Sequence, residues 1–236
     1  MRSNTTRLDR FISAKLRIKR SDVRLLLAQK RVLVDGVVAT NIGQVIGPFS
    51  WVSFDDEVLQ NQVARYLMMN KPLGVVSATK DSRNKTVIDL LPENERAGLH
   101  IPGRLDFNTT GLLLLTNDGQ WSRNLSSPAN NIAKVYTVTV SKPLDASYID
   151  AFASGMFFNY EGITTRPVKL EILADYVAKL SLVEGRYHQI KRMFGRFQNE
   201  VLALHRDAIG GLSLDPSLAS GQSRPLTQHE VLSLKG

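Results

Sequence analysis

An unbroken apolar run, Leu112 to Leu115, stands directly behind a polar loop, Gly103-Arg104-Leu105-Asp106-Phe107-Asn108-Thr109-Thr110-Gly111. The run is too short for a buried helix and fits a strand covered on both faces. A carboxylate at the tip of such a loop is held rigidly by the strand behind it. About eighty residues further on comes a second polar string, Glu184-Gly185-Arg186-Tyr187-His188-Gln189-Ile190-Lys191-Arg192-Met193, which the fold can bring to the acid.

The rest of the chain limits what those strings can do. Its 236 residues suffice for one large domain, or a medium one and a small one. Hydrophobic residues make up 43% and charged residues 22%, the balance of a globular protein with a sizeable core. Formal net charge is +8, which favours a polyanionic partner through phosphate contacts and counterion release. There is no cysteine, so disulfides, thiolate metal sites and a cysteine nucleophile are excluded. His100, His188, His205 and His229 lack metal-ligand spacing. No apolar segment follows the basic N-terminus and no run reaches membrane-span length, so no membrane partner is expected and a cytoplasmic location is.

Residues 1–58 read as a small module. Leu8, Phe11, Ile12 and Leu16 have helical spacing, as do Val23, Leu26 and Leu27, with Ser21 as the expected N-cap of the second helix. Val32-Leu33-Val34 and Val37-Val38 flank Asp35-Gly36, a type I′ hairpin signal. The helical part is crowded with cations: Arg7, Arg10, Lys19, Arg20, Arg24, Lys30 and Arg31 are the candidate nucleic-acid-binding residues. The polar, aperiodic stretch near 59–64 is the expected linker.

Residues 65–236 read as an α+β domain. Strands are expected at 66–69, 75–78, 112–116, 135–140, 168–173, 177–182, 201–204 and 211–214. Helices are expected at 120–125, 146–154 and 186–197. Many strands with few helices imply a mixed, mainly antiparallel sheet flanked by helices rather than a doubly wound one. No glycine-rich phosphate loop and no serine elbow is present. A glycosidase would need two carboxylates bracketing one bond, and only Asp106 has a suitable setting.

The Gly-Arg-Leu-Asp loop with its Thr-Thr-Gly sequel, together with the Glu184–Met193 string, resembles the catalytic-aspartate and basic motifs of the pseudouridine synthases. The N-terminal order, with Arg7-Leu8-Asp9-Arg10-Phe11, Lys19-Arg20-Ser21 and Val32-Leu33-Val34-Asp35-Gly36, resembles an S4 RNA-binding domain. It departs from the S4 pattern at Lys30, where glycine is common, and at Gly47-Pro48-Phe49-Ser50, which replaces the usual Gly-Asp turn. Asp118-Gly119-Gln120-Trp121-Ser122, Leu204-His205-Arg206 with Ile209-Gly210-Gly211, and Arg224-Pro225-Leu226-Thr227 narrow the resemblance to the small-subunit subfamily.

That resemblance implies isomerisation of one uridine of 16S ribosomal RNA, free or within a partly assembled small subunit, by a monomer needing neither cofactor nor metal. It implies Asp106 as the nucleophile, attacking either base or sugar, and Tyr136 in Lys134-Val135-Tyr136 as the stacking and proton-accepting residue. Lys191 is implied as the cation paired with Asp106, with Arg192 as the adjacent candidate. Arg104 would steady the extruded nucleotide or its phosphate, and Thr109 and Thr110 would shape the loop at the substrate. Lys71 in Asn70-Lys71-Pro72-Leu73-Gly74 would support that loop or touch phosphate, and Ile209 would lie under the base. Two alternatives share these residues: the same chemistry on a 23S uridine, and a non-catalytic RNA-binding assembly factor.

Overall fold

The computed structural model describes residues 5–234. The chain forms two compact units divided between Ala64 and Arg65. In the first unit β1 (Thr6–Arg7), α1 (Leu8–Leu16) and α2 (Arg20–Ala28) precede five short strands. These are β2 (Val32–Val34), β3 (Val37–Val38), β4 (Val45–Ile46), β5 (Val52–Phe54) and β6 (Glu57–Gln60). The sheet runs β3-β2-β5-β6, antiparallel throughout, and β1 pairs separately with β4. Leu8 and Ile12 of α1 and Val23 and Leu27 of α2 are buried with Val32, Val34 and Val52, as the helical and alternating spacings require.

Asp35 and Gly36 both have positive φ, 52° and 79°, the geometry a type I′ hairpin demands. Lys30 also has φ 59°, so the departure from glycine preserves the left-handed backbone at a cost of about 1–2 kcal/mol. At the other departure, the Gln60 side-chain amide donates to the carbonyls of Gly47 (2.9 Å) and Ser50 (2.7 Å), closing the turn. Two expectations are corrected. Lys19, not Ser21, is the N-cap of α2; the Ser21 hydroxyl instead donates to Asp22. The stretch read as a linker from residue 59 begins inside β6, because the Asp55-Asp56 turn folds Glu57–Gln60 back onto β5.

The second unit contains β7 (Tyr66–Lys71), β8 (Thr110–Thr116), α3 (Gly119–Ser126), β9 (Lys134–Val140) and α4 (Ala146–Ser154). There follow β10 (Phe157–Phe158), β11 (Ile163–Thr164), β12 (Lys169–Ala174), β13 (Val177–Leu182) and α5 (Gln189–Gly195). The last elements are β14 (Val201–Ile209), β15 (Leu212–Ser213), β16 (Ser223–Pro225) and α6 (Gln228–Ser233). An eight-stranded sheet is ordered β12-β13-β9-β14-β8-β7-β16, with β15 beside β14. All its pairings are antiparallel except β14 with β8. The fold is thus α+β with a mixed, mainly antiparallel sheet.

Alternation along the strands sorts side chains between the two faces. Met68, Leu112 and Leu114 pack with Trp121 and Leu125 of α3 and Val231 of α6. Leu67, Met69, Leu113 and Leu115 point the other way, under Val87, Ile88, Leu91 and Leu105 of the long 72–109 connection. On β9 and β13, Val138, Val140, Leu180 and Leu182 pack against Phe152 of α4 and Met193 and Phe194 of α5. The last two clusters meet at Tyr136, which touches both.

Several expected boundaries shift. Residues 75–78 contribute one isolated bridge, Val76 to Thr86, and no strand, because Val76 pairs within the connection, which meets the sheet at His100 opposite Thr116 of β8. The helix expected over 186–197 is only α5, since His188 takes a left-handed backbone (φ 48°) that starts the helix late. The strand expected at 201–204 continues to Ile209, held between β9 and β8.

Candidate active site

Asp106 lies on a loop fixed from both sides. The Gly74 amide donates to the Phe107 carbonyl (3.0 Å), and the Thr109 amide donates to the Asp106 carbonyl (3.1 Å). The Ser77 hydroxyl donates to the Leu105 carbonyl (2.7 Å) and accepts from the Leu105 amide (3.1 Å). Beneath the loop, Lys71 is fully buried, its ammonium donating to the carbonyls of Thr109 (2.8 Å) and Pro72 (2.9 Å). Burial pushes the Lys71 pKa down to about 8, and the negative charge of Asp106 opposes that shift. Gly111 closes the loop at φ 104°, where a Cβ would stand 2.4 Å from the Arg206 carbonyl oxygen. Only glycine fits there.

Arg206 is the cross-piece of the site. It is 2% exposed and sits opposite Tyr136 on β9 and Gly111 on β8. Its guanidinium donates to the carbonyls of Leu112 (2.7 Å) and Gly103 (2.8 Å) and approaches the Tyr136 hydroxyl at 3.4 Å. One planar fork thereby ties the aspartate loop, the strand behind it and the tyrosine of the neighbouring strand into one frame.

The second wall comes from the segment between β13 and α5. Glu184 is buried, and its carboxylate accepts from the Arg166 amide (2.8 Å), the Gln189 side-chain amide (3.1 Å) and Arg186 Nε (3.0 Å). This anchorage fixes the turn that leads into α5. From it, His188 Nε2 reaches within 3.4 Å of Asp106 Oδ2 and Lys191 Nζ within 3.9 Å of the same oxygen. The acid therefore faces a cation in a cleft of about 530 Å³. Arg104, Leu105, Thr109, Lys134, Tyr136, Arg186, Ile190 and Leu204 also line it. Burial, and then the Arg206 charge, lowers the Lys134 pKa. An apolar floor with an aromatic edge and a cationic rim suits a planar base carried on a phosphate chain.

The structure gathers Asp106, Tyr136, Lys191, Arg104 and Thr109 in this cleft and leaves four expected residues outside its lining. Lys71 is buried under the loop, so its ammonium is bonded to backbone and not offered to phosphate. The Thr110 hydroxyl lies 2.8 Å from His205 Nδ1. Arg192 makes a two-pronged pair with Glu161, both contacts 2.5 Å, over the Phe158 ring. Ile209 is buried with Met68 and Leu112 on the sheet face that carries α3 and α6. Conversely, Arg206, Glu184, His188 and Lys134 stand out only in the fold; in sequence they are members of motif strings with no visible partner. Gln189, a member of the same string, is buried against Glu184.

In the first unit, Arg10, Lys19, Arg20, Arg24 and Lys30 are exposed. Arg7 pairs with Asp9 at 3.0 Å, and Arg31 pairs with Asp55 while lying over the Phe54 ring. Among the described residues no helix is long and apolar enough to cross a membrane.

An aspartate on a braced loop, facing a cation and an aromatic in a basic cleft, in a chain that also carries a basic helical module, defines an enzyme of the RNA-modifying class. Comparison with known proteins agrees: residues 65–195 match the RNA pseudouridylate synthase family and residues 6–52 match the S4 domain. The chain belongs to the RNA pseudouridylate synthase family, whose members are isomerases. It is 49% identical over 229 residues to ribosomal small subunit pseudouridine synthase A of Pseudomonas aeruginosa, covering 97% of this chain and 100% of that one. The Escherichia coli K12 protein of the same name is 41% identical over 97% of this chain and 99% of its own. A solved structure described as a pseudouridylate synthase superposes with a TM-score of 0.71 at 41% identity, over 97% of this chain and 99% of that chain.

Proposed function

We propose that this chain converts one uridine of 16S ribosomal RNA to pseudouridine, with Asp106 as the nucleophile. The observation that carries the reading is the convergence of Lys191 and His188 on one carboxylate oxygen of Asp106, in the cleft that Tyr136 lines. Full-length similarity to proteins named for the small ribosomal subunit supports the choice of RNA. The target is extruded from its stack, since its reacting atoms are shielded there. Lys191 keeps the attacking carboxylate charged and aimed. Asp106 bonds to the sugar or the base as the C1′–N1 bond breaks, the base turns within the cleft, and C5 bonds to C1′ while the bond to Asp106 breaks and frees the carboxylate. The proton displaced from C5 passes to Tyr136 or a group beside it, and N1 gains one, so the reaction is a balanced isomerisation. Arg104 steadies the backbone of the extruded nucleotide.

The S4-like module, within residues 1–58, binds flanking RNA through Arg10, Lys19, Arg20, Arg24 and Lys30. Catalysis belongs to residues 65–236, and the protein works as a monomer in the cytoplasm, on free 16S RNA or an assembling small subunit. The test is pseudouridine mapping by carbodiimide adduct and primer extension on 16S and 23S RNA from cells with and without the gene. Loss of one 16S stop is expected. Loss of a 23S stop would keep the chemistry and overturn the target, and no loss in either RNA would favour a non-catalytic assembly factor. Asp106→Asn should abolish restoration of the stop while leaving the thermal midpoint unchanged; restored modification would remove Asp106 as nucleophile.

A further inference from the structure

Two aromatic side chains stand exposed at the cleft, and the reaction sequence above uses neither. Phe107 follows Asp106 directly, yet its side chain is turned out while Leu105 is turned in; it is 44% exposed. Its ring lies over Gly74, where a Cβ would come 3.9 Å from Phe107 Cζ, and its carbonyl is held by the Gly74 amide. Tyr187 arrives from the opposite segment and is 74% exposed. One face of its ring is stacked on His188 at 3.8 Å between centroids and 21° between planes, and His188 reaches Asp106.

Isolated exposed apolar residues are ordinary and need no explanation. These two are different because both are backed by a rigid neighbour and both line the cleft that holds the carboxylate. Arg104 and Arg186, exposed in the same lining, supply charge for the phosphates between stacked bases. Neutral planar rings beside cations form the chemical pattern of a single-strand stacking platform.

We infer that Phe107 and Tyr187 stack on the nucleobases flanking the extruded uridine, capping the stack that it leaves. The occupant is single-stranded RNA, and the contact is tolerant of base identity because every base has a π face. The inference rests on the proposed reaction for the extruded uridine. Extrusion opens a gap in the stack, and side chains that cover its two sides hold the nucleotide out.

The test uses the full chain and a short RNA with one uridine between two 2-aminopurines, whose fluorescence reports stacking. A matched RNA has abasic sites in place of the 2-aminopurines. Wild-type protein should change the 2-aminopurine signal on binding. Phe107→Ala and Tyr187→Ala should each remove part of that change and weaken binding about tenfold, within the range for loss of one base–aromatic stack. The abasic RNA should be insensitive to both substitutions. Phe107→Tyr and Tyr187→Phe, which keep the rings, should behave as wild type. A double alanine variant with unchanged signal and affinity would overturn the inference. So would equal losses on the abasic RNA, or equal losses in the ring-keeping variants, since either would show a structural role. Mapping of cellular RNA reports on the reaction and this titration on the rings, so the two readings fail separately.

Discussion

Single positions in this site carry constraints that their neighbours do not. At Gly111 a methyl group would meet the Arg206 carbonyl oxygen at 2.4 Å and its amide nitrogen at 2.7 Å, on a backbone of φ 104°. Gly111→Ala should therefore cost about 2–4 kcal/mol, measured by urea unfolding, from strain and clash together. Lys71 presents an electrostatic constraint. Its folded pKa of about 8 lies below the ordinary value of 10.5, so between those values the unfolded chain binds the extra proton. Stability should then rise as pH climbs through that window, because the cost of burying the charged ammonium is relieved as it deprotonates. Comparing wild type with Lys71→Met across the window cancels the other titrating groups. A difference that does not move in the wild type's favour would mean that Lys71 is not held with a depressed pKa. Sequence suggested support or phosphate contact for Lys71, and its ammonium bonds run to the Thr109 and Pro72 carbonyls.

Among elements, the short helix α5 is where the reading of sequence and the fold diverge most. The apolar stripe of Ile190, Met193 and Phe194 is legible, and all three are buried. The start of the helix is not, because it depends on the left-handed turn at His188 and on the Glu184 carboxylate, whose partner Arg166 lies on another segment. Within α5 successive residues are turned about 100° apart, so the two adjacent cations face different ways. Lys191 then meets Asp106, whereas Arg192 meets Glu161. Replacing Glu184 with Ala leaves the Arg166 amide and the Gln189 side chain without their acceptor. Loss of about 2–4 kcal/mol is expected in thermal or urea unfolding. A larger fall in the single-turnover rate than in RNA affinity should accompany it, since the His188–Lys191 wall loosens while the rim cations remain. Equal falls in both would argue for general unfolding.

On the proposed function, the two compact units divide the work of the whole molecule. Net charge of +8 is a property of the chain, but the exposed, unsheltered cations of α1 and α2 are a property of the first unit. Removing residues 1–64 should leave a folded 65–236 unit, since each unit has its own core. The dependence of log affinity on log salt should flatten by about 0.7 for each phosphate that the shortened protein no longer neutralises. An unchanged slope would show that the first unit neutralises none. Much of this architecture was determined by sequence alone. Periodicity and turn chemistry act over a few residues, so α1, α4, the Asp35-Gly36 hairpin, the strands β8, β9 and β13, and the loop bearing Asp106 could all be read directly. What only the tertiary structure decided is which side chains meet across distant segments. Arg206 joins Gly103, Leu112 and Tyr136 because the parallel pairing of β14 with β8 sets its register, and a shift of one residue would turn it to the opposite face. Ile209, beyond the register irregularity between Arg206 and Ala208 on the same strand, goes to the other core. Register and helix phase are settled by packing over the whole domain, and no local pattern encodes them.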